Sequence, residues 1–594
     1  MNQDQLISFY EQRRSNYAIQ IQSKNKKINL ISNLRLLTAL AFLVFLYFTF
    51  TNSSFFFVAL PLLVAFALLV RRHSELFDRK VHLENLLKIN DCEIQGLKGD
   101  ISSFGKGAEF IDFNHPYTHD LDIFGDGSLF QSINRCNTLQ GKQDLANRLS
   151  KALDSAEVIL SNQNAVKDLA EKTDFRQHVQ AAGMEIDEQV GDREQLLAWL
   201  EVPSFVYSKP FFRAALIVLP SITVASIAAT FFVSVAKPIA IFLALLQWAI
   251  LAFFIKRVNT FHEYISRKKT ILEKYAHLLH FLQTEEFPSQ LMQTVADSAS
   301  EADIKVKSLA SLVSTFNARL NAMANLFVNS VLMYDLNCVY RLEKWKSENA
   351  ANLKTWLDVV STTEVLCSMG TFAFNHPSFV YPSIGTDLEI EATEIGHPLI
   401  PKNECITNDF TLSNSKSVLI ITGANMAGKS TFLRTVGVNL VLALSGAPLC
   451  SGTFRCPVID MRSGMRTADS LKDHQSYFFA ELNRLKTIME ELRRDKPLLI
   501  LLDEILKGTN STDKQAGSIA LVKQLLPHPC LALIATHDLA MGELAKEFPE
   551  RIQNFCFEAT IEDDQLSFDY KLKPGLAQKM NATFLMRKMG ILLE

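Results

Sequence analysis

Four uncharged apolar stretches constrain this 594-residue chain more than any other feature. Residues 36–50 and 55–70 are parted only by Thr51, Asn52, Ser53 and Ser54, and residues 214–236 and 238–255 only by Lys237. A membrane-spanning helix needs ~20 residues. The third and fourth stretches meet that length. The first two reach it when the first extends back through Asn33 with Arg35 snorkelling. Two buried core hairpins are the competing reading, but continuous apolar runs lack the polar face of an ordinary core helix. The expectation is therefore two transmembrane hairpins, at 31–71 and 206–257. A mean hydropathy of +0.10 and 42 Phe agree with lipid-facing segments.

Charge flanks set the expected orientation. Arg13, Arg14, Lys24, Lys26, Lys27 and Arg35 precede the first hairpin, and Arg71, Arg72, Arg79 and Lys80 follow it. Lys209 and Arg213 precede the second, and Lys256, Arg257, Arg267, Lys268 and Lys269 follow. By the positive-inside rule both ends of each hairpin face the cytoplasm, giving a multi-pass protein of the cell (inner) membrane. Polar residues precede the first apolar run, so no cleavable signal peptide is expected. The nine Cys are scattered with no Cys-x-x-Cys pair, which argues for reduced thiols rather than a disulfide framework or zinc site. A formal charge of −3 shows no basic excess of the kind nucleic-acid binding favours.

The remaining chain divides around the hairpins. Residues 1–30 form a cytoplasmic N-terminal helix and 72–205 a mostly helical connector with one loop at Asn114, His115 and Pro116. Residues 258–384 are polar and helix-rich, with no Pro between Pro288 and Pro377, which suggests long rods or levers. From 385 to 594 short β-rich runs alternate with helices, the pattern of an α/β domain.

That last domain carries the chemistry. The apolar run Ile420, Ile421 and Thr422 leads into Gly423, Ala424, Asn425, Met426, Ala427, Gly428, Lys429, Ser430 and Thr431, and then a helix. This fits G-x-x-x-x-G-K-[ST] in its strand–loop–helix context. Two glycines let backbone N–H groups turn onto phosphate oxygens, and the helix N-terminus adds a favourable dipole. Lys429 reaches the β and γ phosphates of ATP, and Ser430 offers a hydroxyl to Mg²⁺. The apolar run 498–502 ends in Asp503 and Glu504. Asp503 is placed to hold Mg²⁺, and Glu504 to polarise the attacking water. A third strand, 531–535, ends in Thr536, His537 and Asp538, which puts His537 within reach of the γ-phosphate or that water.

These motifs together resemble the MutS mismatch-repair family. Residues 422–431 resemble its TGPNMxGKST loop with Ala424 in place of Pro, 502–511 its DEIxRGTS segment, 535–538 its ATH segment and 469–481 its DDLxxGxSTFxxE segment. The resemblance implies that Ser476 contacts ATP across a dimer interface. Upstream, residues 127–141 are similar to the start of the family's core domain and 320–375 to its returning lever helices. Residues 1–110 and the apolar stretches have no counterpart.

The departures matter too. Phe9, Tyr10 and Glu11 repeat the family's Phe-x-Glu mismatch reader, but stand too close to the first apolar stretch for a reading domain. The clamp around DNA has no evident counterpart. Cys405 stands where the family usually has an adenine-stacking aromatic, and no dimerisation tail follows Asn581, Ala582, Thr583 and Phe584. The resulting expectation is multidomain: membrane α-helical hairpins, an all-α core and lever region, and a C-terminal α/β P-loop ATPase domain of ABC-like, MutS type. It is a Mg²⁺-dependent ATPase, dimeric, coupled through levers to the membrane lipid or an unknown protein partner. A membrane-tethered DNA mismatch-repair protein, with DNA as partner, is the less favoured alternative. An ABC-type transporter is the third, disfavoured by the missing LSGGQ signature.

Overall fold

The computed structural model describes residues 1–186, 188–466, 477–494, 496–507, 509–562 and 565–578. Ser476 and residues 581–584 therefore lie outside the described residues.

The first 97 residues build one antiparallel pair of long helices, Gln3–Thr49 and Phe56–Leu97, turned at Asn52, whose side chain accepts the Ser54 N–H at 3.0 Å. The N-terminal polar segment and the first apolar stretch are thus one continuous helix. Its polar end docks on the rest of the molecule. Tyr10 is 1 % exposed, its hydroxyl donates to Asn375 Oδ1 at 2.8 Å, and Phe9 packs on Phe374. A second pair, Pro210–Ala229 and Ala236–Ile265, turns around Phe231 and Phe232. Among the described residues four helices are long and apolar enough to cross a membrane. Many of their apolar side chains point outward, with Phe57, Phe242 and Phe253 at 78 %, 64 % and 82 % exposure. Such large contiguous apolar surface is unfavourable in water and suited to lipid.

Between and after the hairpins lies a helical core organised on one 42-residue helix, Tyr334–Asn375, about 63 Å long at 1.5 Å per residue. Two buried carboxylates on this spine hold loops that precede other elements. Glu364 accepts the N–H groups of Asn137 and Thr138 at 2.9 and 3.2 Å and the Thr138 hydroxyl. Glu343 accepts three successive N–H groups, from Phe205, Val206 and Tyr207, at 2.8, 3.0 and 2.6 Å, where the chain approaches the second hairpin. Phe205 also packs against Phe254 and Phe261 on the returning helix, with ring centroids 5.9 and 6.4 Å apart.

The rods expected over 258–370 are present only in the spine. From Ile265 the chain folds back repeatedly, breaking at Ser266–Lys268, at Pro288, at Glu301 (φ 59°) and at Met333 (φ 48°). The reason is burial. Leu272, Leu279, Val306, Leu309 and Val313 are almost wholly buried, so these amphipathic helices close on one another and the spine as a compact bundle. Residues 98–128 are also less helical than expected. They form an irregular segment pinned by buried Tyr117, Leu121 and Ile123, and by Gln131 Nε2, which donates to Ile101 O and Phe104 O, both at 3.1 Å.

The C-terminal part is α/β. Among the described residues its strands are β1 (Ser383–Gly385), β2 (Glu389–Ile395), β3 (Asn408–Ser413), β4 (Val418–Gly423), β5 (Thr453–Pro457), β6 (Asp460–Gly464), β7 (Leu498–Asp503), β8 (Cys530–Thr536), β9 (Ile552–Glu562) and β10 (Gln565–Pro574). One sheet has the order β1-β5-β2-β3 and the other β10-β9-β4-β8-β7-β6. In the larger sheet β6, β7, β8, β4 and β9 run parallel, and β10 returns antiparallel. β4 and β8 are buried throughout, as the unbroken apolar runs of central parallel strands require.

Candidate functional site

Register alone assembles the site. Thr422 of β4 pairs with Thr536 of β8, and Asp503 of β7 with Ala535 of β8. The loop after β4, the acidic pair after β7 and the Thr-His-Asp turn after β8 therefore emerge side by side at the carboxyl ends of adjacent strands, where open α/β sheets bind ligands.

The loop turns through two glycines that nothing larger fits. Gly423 has φ 151°, and a Cβ there would lie 2.6 Å from Phe557 O. Gly428, with φ 104°, precedes the helix Lys429–Ser445, and a Cβ there would meet the Tyr570 ring at 3.1 Å. The first N–H groups of that helix have no preceding helical carbonyl to bond, so they are available to an anion. Lys429 is 5 % exposed. Its Nζ donates to Gly423 O at 2.8 Å and Ala424 O at 2.9 Å and lies 3.4 Å from His537 Nδ1. Burial pulls its pKa down, and the nearby Glu504 and Asp503 carboxylates oppose that shift. A buried cation among carbonyls suits a polyanionic ligand.

Ser430 Oγ donates to Asp503 Oδ2 at 2.6 Å. A hydroxyl and one carboxylate in contact offer two of the six oxygens Mg²⁺ takes, so an ion held there would draw the others from phosphate and water. No three His, Cys, Asp or Glu side chains converge to hold an ion among the described residues. The donor set thus fits a phosphate-dependent Mg²⁺ and not an all-protein cage.

Glu504 holds an uncommon backbone conformation, φ 57°, fixed by its N–H donating to Ala535 O at 2.9 Å. His537 Nδ1 bonds Gly423 O at 2.9 Å, which directs Nε2 to the Glu504 carboxylate in direct contact. That hydrogen bond, with the charges of His537, Lys507 and Lys514, overrides burial and holds Glu504 down at about 2. Glu504 is therefore a fixed carboxylate, a base rather than an acid. Glu481 supports the same segment from behind, accepting the N–H groups of Leu506 and Lys507 at 2.6 and 3.1 Å.

Together these residues bound a cavity of about 400 Å³. Asn425, Met426, Ala427, Gly428, Lys429, Ser430, Thr431, Asp503 and Glu504 line it. Gly423 and Ala424 contribute carbonyls to Lys429 beneath it, and His537 stands behind Glu504 as its orienting partner. Cys405 forms part of the opposite wall with Ile400, Ile406 and His397.

Sequence reasoning missed Tyr570. It stacks on Phe568 at 5.9 Å, its carbonyl accepts from Asn408 Nδ2 at 3.1 Å, and its ring borders the cavity beside Gly428. The signal available was the aromatic pair two residues apart on one face of a terminal hairpin.

The sequence profile of MutS domain V matches residues 419–588. Among known proteins, the DNA mismatch repair protein MutS of Thermotoga maritima is 30 % identical over 229 residues, covering 38 % of this chain and 28 % of that protein. DNA mismatch repair protein MutS 2 of Halobacterium salinarum is 29 % identical over 252 residues, 41 % of this chain and 28 % of its own length. The MutS of Chloroflexus aurantiacus is 28 % identical over 247 residues, 40 % of this chain and 25 % of its own. The chain thus aligns with little more than a quarter of each relative.

Proposed function

We propose a function on the premise that this chain is a divergent member of the MutS family, joined to it through its C-terminal domain: it is a membrane-anchored, Mg²⁺-dependent ATPase whose nucleotide cycle moves the helical core against its membrane hairpins. The observation that carries this reading is the convergence of Lys429, Ser430, Asp503 and Glu504 on one cavity.

In this reading the loop N–H groups and Lys429 neutralise the phosphates of ATP. Ser430 and Asp503 hold Mg²⁺, which when bound supplies charge neutralisation at the β and γ oxygens. Glu504, immobilised by Ala535 O and His537, orients water in line with the γ-phosphate. Ser476 completes the site of a second copy, so the working unit is a homodimer. Closure passes through the core to the spine and the hairpins, which anchor the chain in the cell (inner) membrane with the ATPase in the cytoplasm. A protein partner there receives the motion. An ABC-type transporter draws no support from the relatives.

A second reading, a membrane-tethered DNA mismatch-repair protein, is favoured by what the relatives are called. One experiment separates the two. Full-length protein in detergent is assayed for ATP turnover with and without Mg²⁺, then titrated against matched and mismatched duplexes at two salt concentrations. Mg²⁺-dependent turnover with at most weak, salt-sensitive, mismatch-blind DNA binding supports the first reading. A clear mismatch preference at physiological salt promotes the second, and no ATP binding at all sinks both.

A further inference from the structure

Cys405 and Cys450 meet beside the cavity, and the hydrolytic chemistry uses neither thiol. They come from separate loops. Cys405 lies between β2 and β3 and forms cavity wall, whereas Cys450 lies between the Lys429–Ser445 helix and β5 and does not line the cavity.

Gly396 sits against both. A Cβ built there would lie 2.6 Å from Cys405 Sγ and 3.1 Å from Cys450 Sγ, so only a residue without a side chain leaves both sulfurs their places. Asn439, fully buried on the phosphate-loop helix, fastens the same spot. Its Nδ2 donates to Gly396 O at 2.9 Å and its Oδ1 accepts from Cys450 N at 2.9 Å, while Gly396 N donates to Cys450 O at 2.9 Å. The Cys405 thiol donates to His397 O at 3.8 Å. The neighbouring Cys450 side chain, ahead of burial, lowers Cys405, and Cys405 in turn pushes Cys450 up. Six other cysteines, at 136, 338, 367, 456, 530 and 556, are buried and pushed the other way, mainly by desolvation. An acidic, accessible thiol next to a second sulfur is the arrangement of a redox-sensing pair.

We propose that Cys405 and Cys450 form a reversible thiol–disulfide pair, oxidised by hydrogen peroxide, whose closure lowers the affinity of the adjoining cavity for nucleotide. This rests on the reading of that cavity as the ATP site. The Cys405 thiolate attacks a peroxide oxygen, so that the S–O bond forms and the O–O bond breaks. The expelled hydroxide takes a proton and leaves as water. Cys450 sulfur then attacks the resulting sulfenic acid, forming S–S and breaking S–O, and its proton departs with the oxygen as a second water. Two thiols are oxidised for each peroxide reduced, and a thiol reductant reverses the change by exchange. A disulfide is about 2.05 Å long, shorter than any hydrogen-bonded sulfur pair. Closing it draws the 401–407 segment towards Cys450 and displaces the wall formed by Glu404, Cys405 and Ile406.

The test uses full-length protein purified under reductant, titrated with hydrogen peroxide and sampled for peptide mass mapping and equilibrium ATP binding. The linked 405–450 peptides should appear before any other cysteine is oxidised, and saturating ATP should delay them. The ATP Kd should rise by roughly tenfold, the scale on which a pocket registers one lost wall contact, and return on reduction. Cys450→Ser should give a dimedone-trappable sulfenic acid at Cys405 and no cross-link. Oxidation of other thiols ahead of this pair overturns the proposal, as does cross-linked protein that binds ATP like the reduced form. Reduced protein that binds no ATP at all would instead remove the site reading, and the regulation with it.

Discussion

Asp120, fully buried in the irregular segment before the helical core, meets Arg484 of the C-terminal α/β domain at 2.8 Å. The same carboxylate accepts Ser463 Oγ at 2.7 Å, within β6, and Met465 N at 3.1 Å and Arg466 N at 3.0 Å, just beyond its end. Neighbouring Asp122 pairs with Arg466 and Arg434, the latter on the Lys429–Ser445 helix. One short stretch therefore grips both that helix and the helix that carries Glu481.

Asp120→Ala should destabilise the protein by about 3–5 kcal/mol, the cost of breaking a buried ion pair from one side. Arg484→Ala should cost less, because the arginine side chain is 24 % exposed. The double variant should lose less than the sum of the two. Denaturant midpoints of the three proteins check this, and strict additivity would show that the contact carries no coupling.

Lys429 and Glu504 should separate binding from turnover. Glu504→Gln should keep ATP binding and lose hydrolysis by about 10²-fold or more, as removal of a positioned base does. Lys429→Ala should weaken binding itself, because the ammonium serves ground and transition states alike. Equilibrium binding beside steady-state hydrolysis reads both. Wild-type turnover in Glu504→Gln would remove it as the base.

Acid should loosen the junction between the hairpin-bearing helices. His82 of the first hairpin's second helix bonds Glu185 Oε1 at 3.1 Å and His178 at 2.8 Å, with His277, Phe281, Lys274, Asp174 and Arg13 around them. Burial, with His82 next, presses His178 down to about 4, and burial lowers His277 too. The folded state then binds fewer protons than the unfolded one between roughly pH 6.5 and 4, so stability must fall as pH drops through that window. Thermal midpoints should decline from pH 6.5 to 5 and be flat from 7 to 8. His178→Gln should flatten the decline, and an unchanged slope would assign it elsewhere.

Cysteines placed at Asn52, in the turn of the first hairpin, and at Lys237, at the start of the second hairpin's returning helix, should react from outside intact cells with a membrane-impermeant reagent. The Lys and Arg residues that flank both hairpins dictate this direction. Protection of both positions, with a labelled external control, would reject the topology.

What the sequence made legible is what local physics dictates. Gly423, Gly428, Lys429 and Ser430 stand at fixed spacing between a strand and a helix, and the helices long and apolar enough to cross a membrane contain uninterrupted apolar runs, so both features are visible without the fold. Register then brings Asp503 and Glu504 to the loop. Tyr570 was not legible, because its place beside Gly428 depends on a hairpin pairing across the sheet edge. Nor was Asp120, whose partners lie more than 340 positions away. The rods read over 258–370 failed outside the spine for a related reason. Helical periodicity shows which face is apolar, but not that successive helices bury those faces on one another. Phe9, Tyr10 and Glu11 show the opposite error to be avoided: the letters match a DNA wedge, yet Tyr10 is packed away against the end of the spine.

The clamp of Glu343 on the backbone of Phe205, Val206 and Tyr207, with Phe205 packed against Phe254 and Phe261, makes the second hairpin an excursion that leaves and rejoins the core at one place. Chain ends that lie so close can be joined by a short flexible linker at little entropic cost. The hairpin is in this sense a module with one seam. A cut after Tyr207 on one side and before Phe254 on the other would remove the most apolar portion of the chain, and its cost to the core would be the packing of Leu216 and Leu251 and the hydrogen bond from Trp248 Nε1 to Ser330 Oγ.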